Sequence, residues 1–167
     1  MKKFTILISL FLSIAISGSA FAWTTTKVFD DFDETTLNSS TVDDGFSTLV
    51  VRTKSKVGEW PTEIYIIPGD SHICETKRSY VEGVKYKFDD GKIYTVDMIM
   101  STDKQALFFP NEFSHYKIPQ KKIDFVNGLN NAKVLAVRYH DSCGTQFKMK
   151  FDISENKPHI NWQIKEK

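Results

Sequence analysis

The run His140-Asp141-Ser142-Cys143 places every residue type of a nucleophilic set in four consecutive positions. A catalytic triad needs its members to converge in space, each hydrogen-bonded to the next. Consecutive residues leaving a strand point in divergent directions, so this spacing opposes that chemistry. Asp141-Ser142-Cys143-Gly144 instead predicts a turn, with Gly144 relaxing the backbone. The four histidines, His72, His115, His140 and His159, lie far apart, and no H-E-x-x-H or equivalent zinc spacing occurs. No metal is expected from spacing, although three ligands arriving from separate strands would leave no such trace. Asp31-Phe32-Asp33-Glu34-Thr35 begins like a calcium loop. It lacks the Gly required at the sixth position, where Thr36 stands, and the Glu required at the twelfth, where Val42 stands. It is expected to be a solvated acidic stretch. There is no P-loop and no G-x-G-x-x-G, so no cofactor is expected. Paired carboxylates for glycoside chemistry are matched in space rather than in sequence, and nothing here points to them. The chain is therefore expected not to be an enzyme. The contrary hypothesis is a hydrolase built from scattered carboxylates or histidines.

Two stretches point instead to binding. The segment 53–61, T-K-S-K-V-G-E-W-P, links two predicted strands and holds Lys54, Lys56, Glu59 and Trp60. Loops on rigid β scaffolds are common binding sites, and an exposed Trp is an enriched hot-spot residue. The competing arrangement folds Trp60 back onto the edge of the core beside Pro61. Arg138, Tyr139 and His140, at the end of another predicted strand, form a second candidate protein-binding patch.

These residues need a compartment and a scaffold. Lys2 and Lys3 precede an almost wholly apolar stretch, 4–16, and Ala20-Phe21-Ala22 supplies an A-x-A cleavage site. That order is the secretory pattern, and a stretch of 13 residues falls short of the roughly 20 needed to span a bilayer. Residues 1–22 are thus expected to be removed on export, leaving 145 of 167 residues, which is one domain's worth. No later segment is apolar for long enough to span a membrane. Removal leaves 20 basic against 21 acidic residues, a net charge of −1. Such a balance provides no overall electrostatic case for nucleic acid or an anionic membrane. The signal style and the Lys- and Asn-rich composition look bacterial, which places the mature chain in the periplasm or the medium. In an oxidising compartment the two cysteines, Cys74 and Cys143, are expected to form one disulfide. Closing a loop of that length stabilises by at most about 4 kcal/mol. The alternative is a catalytic or metal-binding thiol, but no CxxC accompanies either one.

After a polar, acidic arm at 23–45, expected to be loosely structured with one short strand at 25–29, a single β domain is predicted over 46–167. Strand signals fall at 46–52, 63–67, 71–75, 84–88, 92–100, 105–109, 134–140 and 146–153, with a last apolar stripe at Ile160, Trp162 and Ile164. The cleanest alternation sets Phe147, Met149, Phe151 and Ile153 against Lys148, Lys150 and Asp152. Asp89-Asp90-Gly91 predicts a hairpin turn. One helix is predicted at 119–127, opened by Pro119 and ended by Gly128 at the C′ position. About eight strands and one short helix predict a mainly β fold, an antiparallel β-sandwich or a partly open barrel.

Four stretches also occur in a familiar order: Lys87-Phe88-Asp89, Ser101-Thr102-Asp103 running through Ala106-Leu107-Phe108, Leu135-Ala136-Val137-Arg138, and Phe151-Asp152-Ile153-Ser154. In this the chain resembles the small exported proteins associated with type VI secretion, the TagO/VasI-like group, and their uncharacterised and prophage-borne relatives. Cys74 stands closer to the basic-x-Asp strand than the cysteine of that group, and Glu155 replaces its Gly after F-D-L-S. The resemblance implies a periplasmic β domain without established catalytic residues that acts through protein contacts. The expected function is therefore an exported, non-enzymatic accessory protein with a protein partner in the cell envelope. The alternative is an immunity or inhibitor protein that blocks a wall-degrading effector.

Overall fold

The computed structural model describes residues 22–30, 35–54, 61–69, 72–74, 78–110 and 120–158. They form nine strands and one helix: β1 Thr24–Asp30, β2 Thr35–Asp43, β3 Thr48–Lys54, β4 Pro61–Ile67, β5 Tyr80–Phe88, β6 Tyr94–Met100, β7 Leu107–Phe108, α1 Gln120–Asn131, β8 Val134–His140 and β9 Gln146–Asp152. Every pairing is antiparallel, within one sheet of order β1-β2-β3-β4-β7-β6-β5-β8-β9. The sheet does not close, yet β2 touches β9 although seven strand positions separate them. At that seam the Lys150 N–H donates to Asp44 Oδ2 at 3.1 Å, a side chain standing in for a backbone ladder. Of the two architectures expected, the fold is therefore the partly open barrel, a single curled sheet.

Period-two alternation explains which face is inside. Val84 and Tyr86 of β5, Val96, Met98 and Met100 of β6, Leu135, Val137 and Tyr139 of β8, and Met149 and Phe151 of β9 all point into the concave core. Helix α1 adds Phe125, Val126 and Leu129 to it. The Phe125 ring lies 4.6 Å from Phe109 and 5.0 Å from Tyr86, centroid to centroid.

Four sequence expectations need correction. The stretch expected as a loose arm with one strand at 25–29 has that strand as β1 and a full second strand, β2, with Trp23, Ser40 and Val42 buried. Its polar composition hid a strand because the residues are Thr and Ser, whose hydroxyls can satisfy one another. Thr25 Oγ1 and Ser40 Oγ lie 2.9 Å apart across the pair. Next, α1 does not end at Gly128 but runs on to Asn131. Gly128 is needed for close approach: a Cβ there would stand 2.1 Å from Phe88 Cε2. Thirdly, residues 72–74 are not a strand; Ile73 is tied by its N–H to the Lys104 carbonyl at 2.9 Å. Lastly, Phe46, expected to begin a strand, is exposed in the turn before β3. The stripe at Ile160, Trp162 and Ile164 lies outside the described residues, as do His115, His159 and residues 31–34.

Candidate functional site

The nucleophile-like run is a structural corner. Asp141 is buried at the end of β8, and its carboxylate is committed to backbone. Oδ1 accepts from the N–H of Cys143 at 3.1 Å and of Thr145 at 2.8 Å, while Oδ2 accepts from the N–H of Cys74 at 3.3 Å. Ser142 donates its own N–H to the Cys74 carbonyl at 2.9 Å. Gly144 takes the positive φ of 83° that the turn requires. Cys74 and Cys143 are bonded within this corner, their Cα atoms 5.8 Å apart and 69 residues apart in sequence. The predicted disulfide and the predicted turn are thus one feature. His140 leaves the corner on the outer face, its Nε2 2.8 Å from Gln146 Nε2.

The predicted patch Arg138, Tyr139, His140 divides between two faces. Arg138 and His140 are exposed on the convex side. Tyr139 is not a surface residue: it is 2% exposed, stacked on Phe147 with centroids 4.7 Å apart. Three adjacent strand residues cannot share a face, since their side chains alternate. The Tyr139 hydroxyl has no hydrogen-bond partner among the described residues, and burial pushes its pKa well up. Of the other candidate patch, Lys54 is the last residue of β3, with only its backbone described, and Lys56 and Trp60 lie outside the described residues. Among the described residues no three of His, Cys, Asp and Glu come together to hold a metal ion. No helix is long and apolar enough to cross a membrane, again among the described residues.

The convex face of β5, β8 and β9 carries what sequence alone did not reveal. Lys85 stands opposite Arg138, and Arg138 opposite Lys148, three cations in one row across three strands. One step along, Lys87, Ala136 and Lys150 form the next row. Lys87 reaches Asp90 at 3.6 Å, but Lys85, Arg138, Lys148 and Lys150 make no ion pair among the described residues. The alternation of Lys85 and Lys87, and of Lys148 and Lys150, with inward apolar residues showed a wet face on each strand. Only the register shows that the wet faces adjoin.

At one end of this face the sheet opens. β5 pairs with β8 only over residues 85–88, and a β-bulge interrupts β5 between Val81 and Val84. Gly83 supplies the bulge with a φ of 66°, and the Asp97 carboxylate accepts its N–H at 2.8 Å. The result is a polar recess of about 220 Å³ whose lining includes Arg78, Tyr80, Glu82, His140, Asp141 and Ser142. Bulges commonly re-aim side chains in this way. Arg78 pairs with Glu82 and lies over the Tyr80 ring, 5.6 Å from its centroid. Tyr80 in turn begins an apolar row that runs over Ile99 and Phe108 to Tyr65 and Val50, each opposite the next. Val50 and Tyr65 are buried, whereas Ile99 and Tyr80 remain 46% and 36% exposed.

The motifs that carry the family resemblance do structural work. The Asp89 carboxylate accepts the N–H groups of Lys133 and Val134, at 3.0 and 2.9 Å, tying the hairpin turn to β8. Ser101 Oγ and Asp103 together accept the N–H of Gln105, and Ser101 also that of Ala106. Asp152 accepts both the N–H and the hydroxyl of Ser154. Asp89, Ser101 and Asp152 of these motifs therefore set turns, while Lys87, Ala136 and Arg138 lie in the convex rows. Comparison with known proteins finds no matching family model, no matching curated protein and no matching solved structure.

Proposed function

We propose that this chain is an exported, non-enzymatic binding protein of the bacterial cell envelope, an accessory factor that acts by contact with another protein. The observation that carries the reading is the row Lys85–Arg138–Lys148. Like charges directly opposite one another weaken a sheet, so this face costs the isolated fold stability, and contact with an anionic surface would offset that cost. Two further features support it. The Asp141 carboxylate is spent on backbone hydrogen bonds, and Cys143 is spent on the disulfide to Cys74. Export is supported by the A-x-A pattern ending at Ala22 and by the bonded cysteine pair, which suits an oxidising compartment. The resemblance to proteins associated with type VI secretion supplies the biological setting.

The test is fractionation followed by capture. In a bacterial host the chain is expected in the periplasm or medium with a mass that begins at Trp23. Retention in the cytoplasm with residues 1–22 attached would overturn export. Affinity capture from the envelope fraction is expected to recover components of a secretion machine. Recovery of a wall hydrolase instead would make the protein an inhibitor or immunity factor.

A further inference from the structure

The apolar row and the cationic row both cross β5, at Tyr80 and at Lys85, on either side of the bulge that carries Glu82 and faces Asp97. We propose that the exposed Tyr80–Ile99 pair, the recess beside it and the row Lys85–Arg138–Lys148 form one docking site for an acidic protein surface. This deepens the binding function proposed above and rests on it. The recess takes a side chain of the partner, and the cations face carboxylates around that anchor.

The composition of the face selects this class of partner. An aromatic ring flanked by Arg, with an exposed aliphatic neighbour, is what the centre of a protein interface contains. Arg78 over Tyr80 supplies that arrangement at the mouth of the recess. Single-stranded nucleic acid is bound by aromatic platforms interleaved with cations, and here the two cationic rows hold Ala136 and no aromatic side chain. A membrane-surface site needs a broad apolar face to enter the acyl boundary. Tyr80 and Ile99 alone, set apart from Lys85 by the pairs Val81–Met98 and Val84–Val96, do not provide one. Four strands, β6-β5-β8-β9, at about 4.8 Å spacing make a platform roughly 14 Å wide, with β5 and β8 joined over the four residues 85–88. That is the width of one helix with its side chains, about 10–12 Å, with a margin for the flanking carboxylates.

The experiment places a photo-crosslinking residue, benzoylphenylalanine, at Ile99 or at Lys27 on β1 of the full chain in cells, and identifies the adducts by mass. Position 99 is expected to yield a discrete protein adduct rich in Asp and Glu at the linked segment. Adding Arg138→Glu and Lys148→Glu is expected to lower its yield about tenfold, because unlike charges become like across the contact. Circular dichroism of the purified variant checks that the fold survives. Should the double reversal fail to fold, Arg138→Gln with Lys148→Gln serves in its place and is expected to lower the yield about threefold. An adduct whose yield is indifferent to these changes overturns the proposal, as does a lipid, polysaccharide or nucleic-acid adduct at position 99. An adduct at position 27 with none at 99 overturns this site while leaving the binding function standing. Absence of adducts at both positions overturns the two together.

Discussion

Removal of the Asp141 carboxylate separates a structural corner from a catalytic one. Asp141 is 7% exposed, and its two oxygens accept three backbone N–H groups, two at 2.8 and 3.1 Å and one at 3.3 Å. A hydrogen bond to a charged group contributes about 1.5–3 kcal/mol, and a neutral one about 1 kcal/mol. Thr145 and Cys143 are exposed, so water can replace part of what their N–H groups lose. We therefore count about 1 kcal/mol for each of the two shorter bonds and less for the long one. Asp141→Ala is expected to cost about 2–3 kcal/mol, and Asp141→Asn about 1 kcal/mol. The Asn amide keeps one acceptor for the two shorter bonds but sets its NH₂ against the Cys74 N–H. Urea unfolding at neutral pH with an unchanged m-value is the assay. The corresponding fall in Tm for the Ala variant is about 5–10 °C for a domain of this size. In a Cys74→Ser, Cys143→Ser background the two losses should couple by more than about 0.5 kcal/mol, since bond and carboxylate join the same segments. An Asp141→Ala variant within about 0.5 kcal/mol of the parent would refute the reasoning. So would a hydrolytic activity that vanished in that variant while its stability held.

Further expectations follow from the core and from charge. Gly128→Ala should destabilise by about 1–3 kcal/mol through the clash with the Phe88 ring, net of a helix-propensity gain of about 1 kcal/mol. In a Phe88→Ala background the same change should become stabilising; urea unfolding of the four chains measures the sign reversal. Tyr139→Phe removes a buried hydroxyl without a partner among the described residues. It should leave stability unchanged or raise it by up to about 1 kcal/mol, with crosslinking at position 99 unaffected. On the acid side, the Ser101 hydroxyl and the Gln105 N–H hold the Asp103 carboxyl below the usual carboxylate range, and Ser154 does the same for Asp152. The unfolded chain therefore takes up those two protons first as pH falls. The stability they supply is complete above about pH 5 and is lost as pH drops through about 4 and below. Thermal melts from pH 6 to 3 should show that decline, with a shallower slope in Asp152→Asn; an unchanged slope would contradict the assignment.

Much of this fold was legible because its core strands alternate cleanly. Phe147, Met149 and Phe151 against Lys148 and Lys150 show a half-buried strand, and β8 spans the expected residues Val134–His140. The Asp-Ser-Cys-Gly turn and the pairing of Cys74 with Cys143 were legible from residue type and count. Polar strands were not legible: β2 earns its place by lying between two partners, and hydroxyl pairs such as Thr25–Ser40 carry no hydrophobic period. Nor was the helix end, because Gly128 answers to a ring that arrives from a strand 40 residues earlier.

The convex site marks the boundary between the two kinds of knowledge. Sequence by itself determined that Lys85, Arg138 and Lys148 face water, since local alternation sets the face of each strand. It also determined that a near-neutral chain carries no overall field. Only the tertiary structure decided that these cations stand side by side, because register between strands distant in sequence is set by long-range backbone pairing. The same pairing stops short beyond the Glu82–Gly83 bulge, and that interruption opens the recess which no spacing of residues along the chain announces.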